Sequence, residues 1–175
     1  MKRSILTEKV ARRGFDIFRE YGVDPLERVR VEGVMSRQVV AIESLTLIRE
    51  AGARFFGEGV RHHGFPVVDG NGLFCGMLTV TDVLRVTAEN GSGTQDAGNS
   101  ASSPVVTVGP KDSCRVAAER MAQTGFGRLP VVEASPGGWK LVGILTRGDL
   151  LKARLQSLAE EGERERFWGR SRKGT

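Results

Sequence analysis

Apolar and polar positions run through the same order twice along this chain. In the first pass the apolar run "VVAI" (Val39–Ile42) leads to Ser44 and to "LTLIREAGARFF", whose apolar positions recur at helical spacing. "GFPVVD" and "GMLTVTDVL" follow, each a short apolar run bounded by turn residues. In the second pass "VVTV" (Val105–Val108) precedes Asp112, the helix-spaced "SCRVAAERMAQ", then "RLPVVE" and "GILTRGDLL". Matched positions lie 64 to 67 residues apart, from Pro66 to Pro130 and from Gly76 to Gly143, so the small insertions fall between elements, as they do in tandem copies. Each copy predicts strand, helix, strand, turn, strand, helix.

The turns support that reading. Asp69-Gly70-Asn71-Gly72 is hairpin chemistry, and Ser135-Pro136-Gly137-Gly138 is a longer version of it. Between the copies, "ENGSGTQDAGNSASS" (Glu89–Ser103) is rich in glycine, serine and asparagine and reads as a flexible linker. A lone sheet of three short strands with two helices buries too little surface to stand alone. The two copies are therefore expected to pack sheet against sheet around a shared core. The predicted divisions are a helical connector over 1–30, a first unit over 31–89, a linker over 90–103, a second unit over 104–155 and a basic tail over 156–175.

Composition narrows the function. The chain carries a net charge of +5, but the basic excess sits at its two ends and the middle is near neutral. Only 6% of residues are aromatic, too few for base stacking, so no nucleic-acid partner is expected. Cys75 and Cys114 have no second cysteine or histidine at ligand spacing, so neither zinc nor a disulfide framework is expected, and a reducing compartment fits. His62 and His63 lack a carboxylate or cysteine partner at such spacing and read as surface or cleft-rim residues, not metal ligands. Cys114 reads as a small half-buried filler. There is no run of eighteen apolar residues and no apolar leader after Met1-Lys2-Arg3, so a cytoplasmic chain is expected. No nucleophile and base, and no carboxylate pair, can be assembled from the sequence, so no catalysis is expected.

The repeated heptapeptides, Gly76–Asp82 and Gly143–Asp149, carry the chemistry. The glycines suit a close backbone approach. Thr79 or Thr81, and Thr146, can cap the following helices, with Asp82 and Asp149 favourable in their first turns. The same geometry also suits a ligand. Free N–H groups and a threonine hydroxyl at a helix start are donors for a phosphate, and a carboxylate one turn further in can accept hydrogen bonds from a ribose diol.

Taken whole, the unit, with "PVVD" or "PVVE" ahead of a Gly-x-Leu-Thr-x-x-Asp pattern, resembles the cystathionine-β-synthase (CBS) domain. Two in tandem resemble a Bateman module, over about residues 31–155. The resemblance implies an α+β fold of two β-α-β-β-α units packed sheet to sheet with pseudo-twofold symmetry, and two clefts of a kind that often binds an adenine nucleotide (ATP, ADP or AMP). It implies that Thr79 and Asp82 face ribose and phosphate in one cleft, and Thr146 and Asp149 in the other. It also implies adenine contacts near the first strand of each copy, where Ser36, and Ser103 with Val105, stand. Arg128 and Arg147 are cations available to a phosphate in the second copy, where the first copy has Gly64 and Val80. The second cleft is therefore the expected site.

The flanks add partners. Ser4–Met35 resembles the segment that follows the last membrane helix of prokaryotic CLC-type chloride channels, where a similar Lys-x-x-Arg-Arg-Gly stretch leads into the CBS pair. That resemblance implies a transmembrane channel domain in the same full-length chain and a place at the cytosolic side of the membrane. Ile5, Val10, Phe15 and Phe18 would pack against that domain, and Lys9, Arg12 and Arg13 suit anionic lipid headgroups. Phe167 and Trp168 offer a second contact within the tail. A homodimer is expected through helix faces carrying Leu47, Ala51, Phe55, Val116 and Met121.

Overall fold

The computed structural model describes residues 24–57, 59, 62–90, 93–103 and 105–171. The connector residues named above, from Ile5 to Phe18, lie outside these, and so do the side chains of Phe167 and Trp168.

The first unit holds a three-stranded sheet in the order β1 (Ile42–Glu43), β2 (Gly64–Val68), β3 (Phe74–Thr79). β1 runs parallel to β2, with Ile42 opposite Val67, and β2 runs antiparallel to β3, with Gly64 opposite Thr79. The hairpin turn forms as its residues predict: the Asp69 carboxylate accepts from the N–H groups of Asn71 (2.9 Å) and Leu73 (2.8 Å). In the second unit β4 (Arg128–Ser135) and β5 (Gly138–Thr146) pair antiparallel, with Arg128 opposite Thr146. Its expected first strand is reduced to one parallel bridge, in which Val108 donates to Pro130 O (3.1 Å) and accepts from Val132 N (2.9 Å). The register slips at the same place in both hairpins, between Val67 and Val68 and between Val131 and Val132.

The helices are α1 (Pro25–Arg28), α2 (Ile48–Phe55), α3 (Val80–Asn90), α4 (Ala97–Ser100), α5 (Cys114–Thr124) and α6 (Arg147–Ser171). Two helix starts differ from expectation. Ser44 does not open α2: its N–H continues the sheet onto Val68 O (2.8 Å), and the helix begins four residues later behind Leu47, without a side-chain cap. On α5 the cap is Ser113, whose hydroxyl accepts from Val116 N, while Asp112 accepts from Gly109 N in the preceding turn. Gly125 closes α5 at φ 76°, the left-handed conformation that glycine adopts without strain.

Two apolar clusters form instead of one shared core. Ile42, Ile48, Ala51, Phe65, Val67 and Leu78 fill the first unit, and Val108, Leu129, Val131, Leu145 and Leu150 the second. Each is sealed by residues from the other copy's leading segment. Leu26, Val31 and Met35, which precede the first copy, are buried in the second cluster, while Ala97, which precedes the second copy, is buried in the first. Isolated bridges repeat the exchange. Arg30 pairs with Ser113 and Ser36 with Ile144, and at matched positions Leu47 pairs with Asp96 and Met77 with Ser102. This is the pseudo-twofold relation written in hydrogen bonds.

Within the segment 90–103 expected as a flexible linker, the residues around 97–100 are packed. Residues Ala97–Ser100 form a helical turn with Ala97 and Ser100 buried, because small residues can lie close against the first sheet. The two sheets meet through β3 and β5, with Leu73 bridged to Lys140 and Leu141 N donating to Gly72 O (3.4 Å).

The glycines of the heptapeptides are explained by the exchange. A Cβ on Gly76 would lie 2.8 Å from Ser102 O and 3.0 Å from Ala101 Cβ. On Gly143 it would lie 2.6 Å from Met35 Sδ and 3.0 Å from Ser36 O. The close approach is made by the opposite copy's leading segment.

The expected dimer face is corrected in part. Ala51 and Met121 are buried within their own units, whereas Leu47, Phe55 and Val116 are half-buried. Four of the large exposed apolar residues lie on helices, Leu84 (65% exposed) on α3 and Leu151, Leu155 and Leu158 on α6, while Val40, Leu45, Phe126 and Trp139 are exposed elsewhere.

Candidate functional site

Both heptapeptides end a strand and start a helix, and both close on a reciprocal cap. Asp82 Oδ2 accepts from Thr79 N (2.9 Å) and Thr79 Oγ1 (2.6 Å), while Thr79 Oγ1 accepts from Asp82 N (3.3 Å). Asp149 and Thr146 repeat this at 2.9, 2.7 and 3.3 Å. These are capping boxes with aspartate in the third helical position, and Thr79, not Thr81, is the cap. One carboxylate oxygen of each aspartate is thereby committed. Ligand chemistry falls to the other, Oδ1.

The two copies differ there. Asp82 is 8% exposed, and its Oδ1 accepts from Ser102 Oγ (3.2 Å) with the Arg85 guanidinium 3.8 Å away. Asp149 is half-buried, and among the described residues no protein donor reaches its Oδ1. The serine matched to Ser102 is Ser36, which donates weakly to Gln38 O (3.4 Å).

Each site combines the two copies. Grouping residues copy by copy sets Ser36 with Thr79 and Asp82, but the chain exchanges them. Ser36 and Ile144 trade two backbone hydrogen bonds of 2.9 Å each, so Ser36 lies beside the strand that ends in Thr146. Ser102 lies beside the strand that ends in Thr79, through its pairing with Met77. Ser103, next to Ser102 in the chain, is exposed, and Val105 is half-buried, three residues before the bridge of Val108 to Val131. Ser102 is the residue that sequence reasoning missed. The 66-residue offset from Ser36 points to it directly.

The two cations behave differently. Arg147 donates to Gly125 O (2.8 Å) and Phe126 O (3.4 Å), and its own N–H to Gly127 O (3.0 Å), so it clamps the loop between α5 and β4. Arg128, the strand partner of Thr146, reaches across to the first unit, 3.5 Å from both His62 Nδ1 and Gly64 O. Among the described residues it has no carboxylate partner. His62 is exposed and packs its ring edge-on against Phe65.

No group of acidic, histidine and cysteine residues able to hold a metal is found among the described residues. Cys114 is fully buried, not half-buried as expected, and burial pushes its thiol pKa above the usual value. Cys75 is exposed, and its pKa is also raised, by partial desolvation and by the Asp69 carboxylate. No described helix is long and apolar enough to cross a membrane.

The two halves share one architecture, with exchanged leading segments and a capped Thr-x-x-Asp in each. The CBS domain family matches at residues 31–89 and 99–156, and the chain belongs to that family. It is 34% identical over 121 residues to the CBS domain-containing protein YhcV of Bacillus subtilis, covering 69% of this chain and 81% of that protein. It is 33% identical over 110 residues to a homoserine O-acetyltransferase of Methanocorpusculum labreanum, covering 63% of this chain but only 22% of that much longer protein. Among solved structures, CBSX2 in complex with AMP matches at 28% identity and a TM-score of 0.59, over 73% of this chain and 96% of that one.

Proposed function

We propose that this chain is a regulatory module that binds an adenine nucleotide at the site of Thr146 and Asp149. The observation that carries the reading is the open Oδ1 of Asp149, a carboxylate edge held in place by its cap and without a protein donor among the described residues. A ribose diol supplies the two O–H donors such an edge accepts. Ser36, on the adjoining leading segment, pairs with Ile144 two residues before Thr146, and Arg128, with no carboxylate partner among the described residues, is the cation offered to a phosphate. The AMP complex of CBSX2 favours adenosine among the diols.

Calorimetry with ATP, ADP and AMP tests this. A hydrogen bond to a charged group contributes roughly 1.5–3 kcal/mol, so Asp149→Ala should weaken binding at least about tenfold. No heat and no thermal shift with any of the three at millimolar concentration would sink the reading. In that case the module is a ligand-free dimeriser. The engagement of one oxygen of each aspartate in its own helix cap favours that second reading.

The module acts by shifting the equilibrium of whatever it is joined to, which requires nucleotide affinity to differ between two states. The resemblance of Ser4–Met35 favours an attached CLC-type channel domain with lipid contact at the termini, whereas the match over 81% of YhcV favours a free-standing module. A membrane-sedimenting gene product several hundred residues longer supports the channel. A 19 kDa product recovered in the soluble fraction excludes it. We further propose a homodimer, with Leu84, Leu151, Leu155 and Leu158 at the contact.

A further inference from the structure

We infer that the first of the two sites is closed by the chain's own Ser102, so that the module takes one nucleotide and not two. The inference rests on the nucleotide reading above. A carboxylate has about four lone-pair positions. In Asp82 two are used by Thr79 N and Thr79 Oγ1, a third by Ser102 Oγ at 3.2 Å, and the Arg85 guanidinium stands 3.8 Å from the same Oδ1. In Asp149 only the two positions used by Thr146 are filled from the protein among the described residues.

Both sites are built from matched threonines, aspartates and serines, so at the carboxylate itself Ser102 and Arg85 carry the difference. Ser102 is held where it is by its backbone. Its N–H donates to Met77 O (2.8 Å), and its carbonyl lies against Gly76, where only glycine leaves room. The hydroxyl therefore meets the carboxylate from the strand edge and occupies the acceptor that a ribose diol needs. Lys152 stands where the first copy has Arg85, and no ion pair joins it to Asp149 among the described residues. Ser102 is an autoinhibitory residue for its own site.

Calorimetry with AMP on the full chain tests the assignment. Wild type should bind one equivalent, Ser102→Ala two, and Ser102→Ala combined with Asp82→Ala one again. The alanine keeps both backbone bonds to Met77, so the strand edge is retained. Melting supplies a readout independent of nucleotide: Ser102→Ala, which removes the bond to Asp82, should lower Tm by about 2–4 °C, while Ser103→Ala, at a neighbour equally exposed, should not. Two equivalents on wild type, or one equivalent on Ser102→Ala, overturns the inference. If neither protein binds any nucleotide, the nucleotide reading fails, and the melting pair then decides the contact. A loss confined to Ser102→Ala upholds it, and no loss overturns it.

Discussion

Replacing Gly76 by alanine tests how rigidly the exchanged leading segments are held. The added Cβ would lie 2.8 Å from Ser102 O and 3.0 Å from Ala101 Cβ, well inside contact distance, and the nearer atom is backbone. That backbone cannot move outward without breaking its pairing with Met77 and withdrawing Ala97 and Ala101 from the first core. Overpacking of this kind costs about 1–3 kcal/mol, and the rigid neighbour puts Gly76→Ala at the upper end. Gly143→Ala meets an even shorter contact, 2.6 Å, with Met35 Sδ, whose unbranched side chain can shift, but also the Ser36 carbonyl at 3.0 Å, so about 1–3 kcal/mol is expected. Gly33→Ala meets nothing within 4 Å and should stay within about 0.5 kcal/mol of wild type. For a chain of this size a loss of 1 kcal/mol lowers Tm by about 2–4 °C, so thermal and urea melts resolve the series. If Gly76→Ala melts with Gly33→Ala, the close approach does not constrain the fold and the reasoning is wrong.

Ser113→Ala removes the hydroxyl cap of α5 and should cost about 1 kcal/mol in a urea melt, while Ser44→Ala, at a serine that caps nothing, should cost less. A thiol reagent at pH 8 should modify Cys75 in the native protein and Cys114 only after denaturation, because Cys114 is fully buried. The raised Cys114 pKa also sets a pH dependence. The unfolded thiol ionises near 9.0 and the folded one higher, so the stability from the neutral thiol is complete below about pH 9 and is lost as pH climbs through the folded value. Cys114→Ala should flatten that alkaline loss. Leu155→Glu should shift the light-scattering mass from dimer to monomer at tens of micromolar, and a monomeric wild type would remove the proposed dimer altogether.

Much of this architecture is written locally. The hairpin at Asp69–Gly72, the helices after Thr79 and Thr146 and the close approach at Gly76 and Gly143 follow from residue chemistry and its repetition. What escapes is non-local. Nothing in "VEGVM" or "DAGNS" tells which sheet it will cover, since either copy offers an apolar face, and chain order favours the wrong one. Ser44 looks like a cap because serine ahead of a helix-spaced run usually is one, yet the sheet takes its N–H first. Arg147 and Arg128 look equivalent in sequence. Only the fold turns one onto the carbonyls of its own loop and the other toward the opposite unit.

The exchange of leading segments has a consequence for dissecting the gene. A fragment cut at the family boundaries, 31–89, carries Val31 and Met35, which complete the other half, and lacks Ala97, which completes its own. Such a fragment is not a smaller domain but half of a mutual closure. Two polypeptides made by breaking the chain between Asn90 and Gly93 each carry the piece the other needs. They should behave as complementing halves, inert alone and folded when mixed.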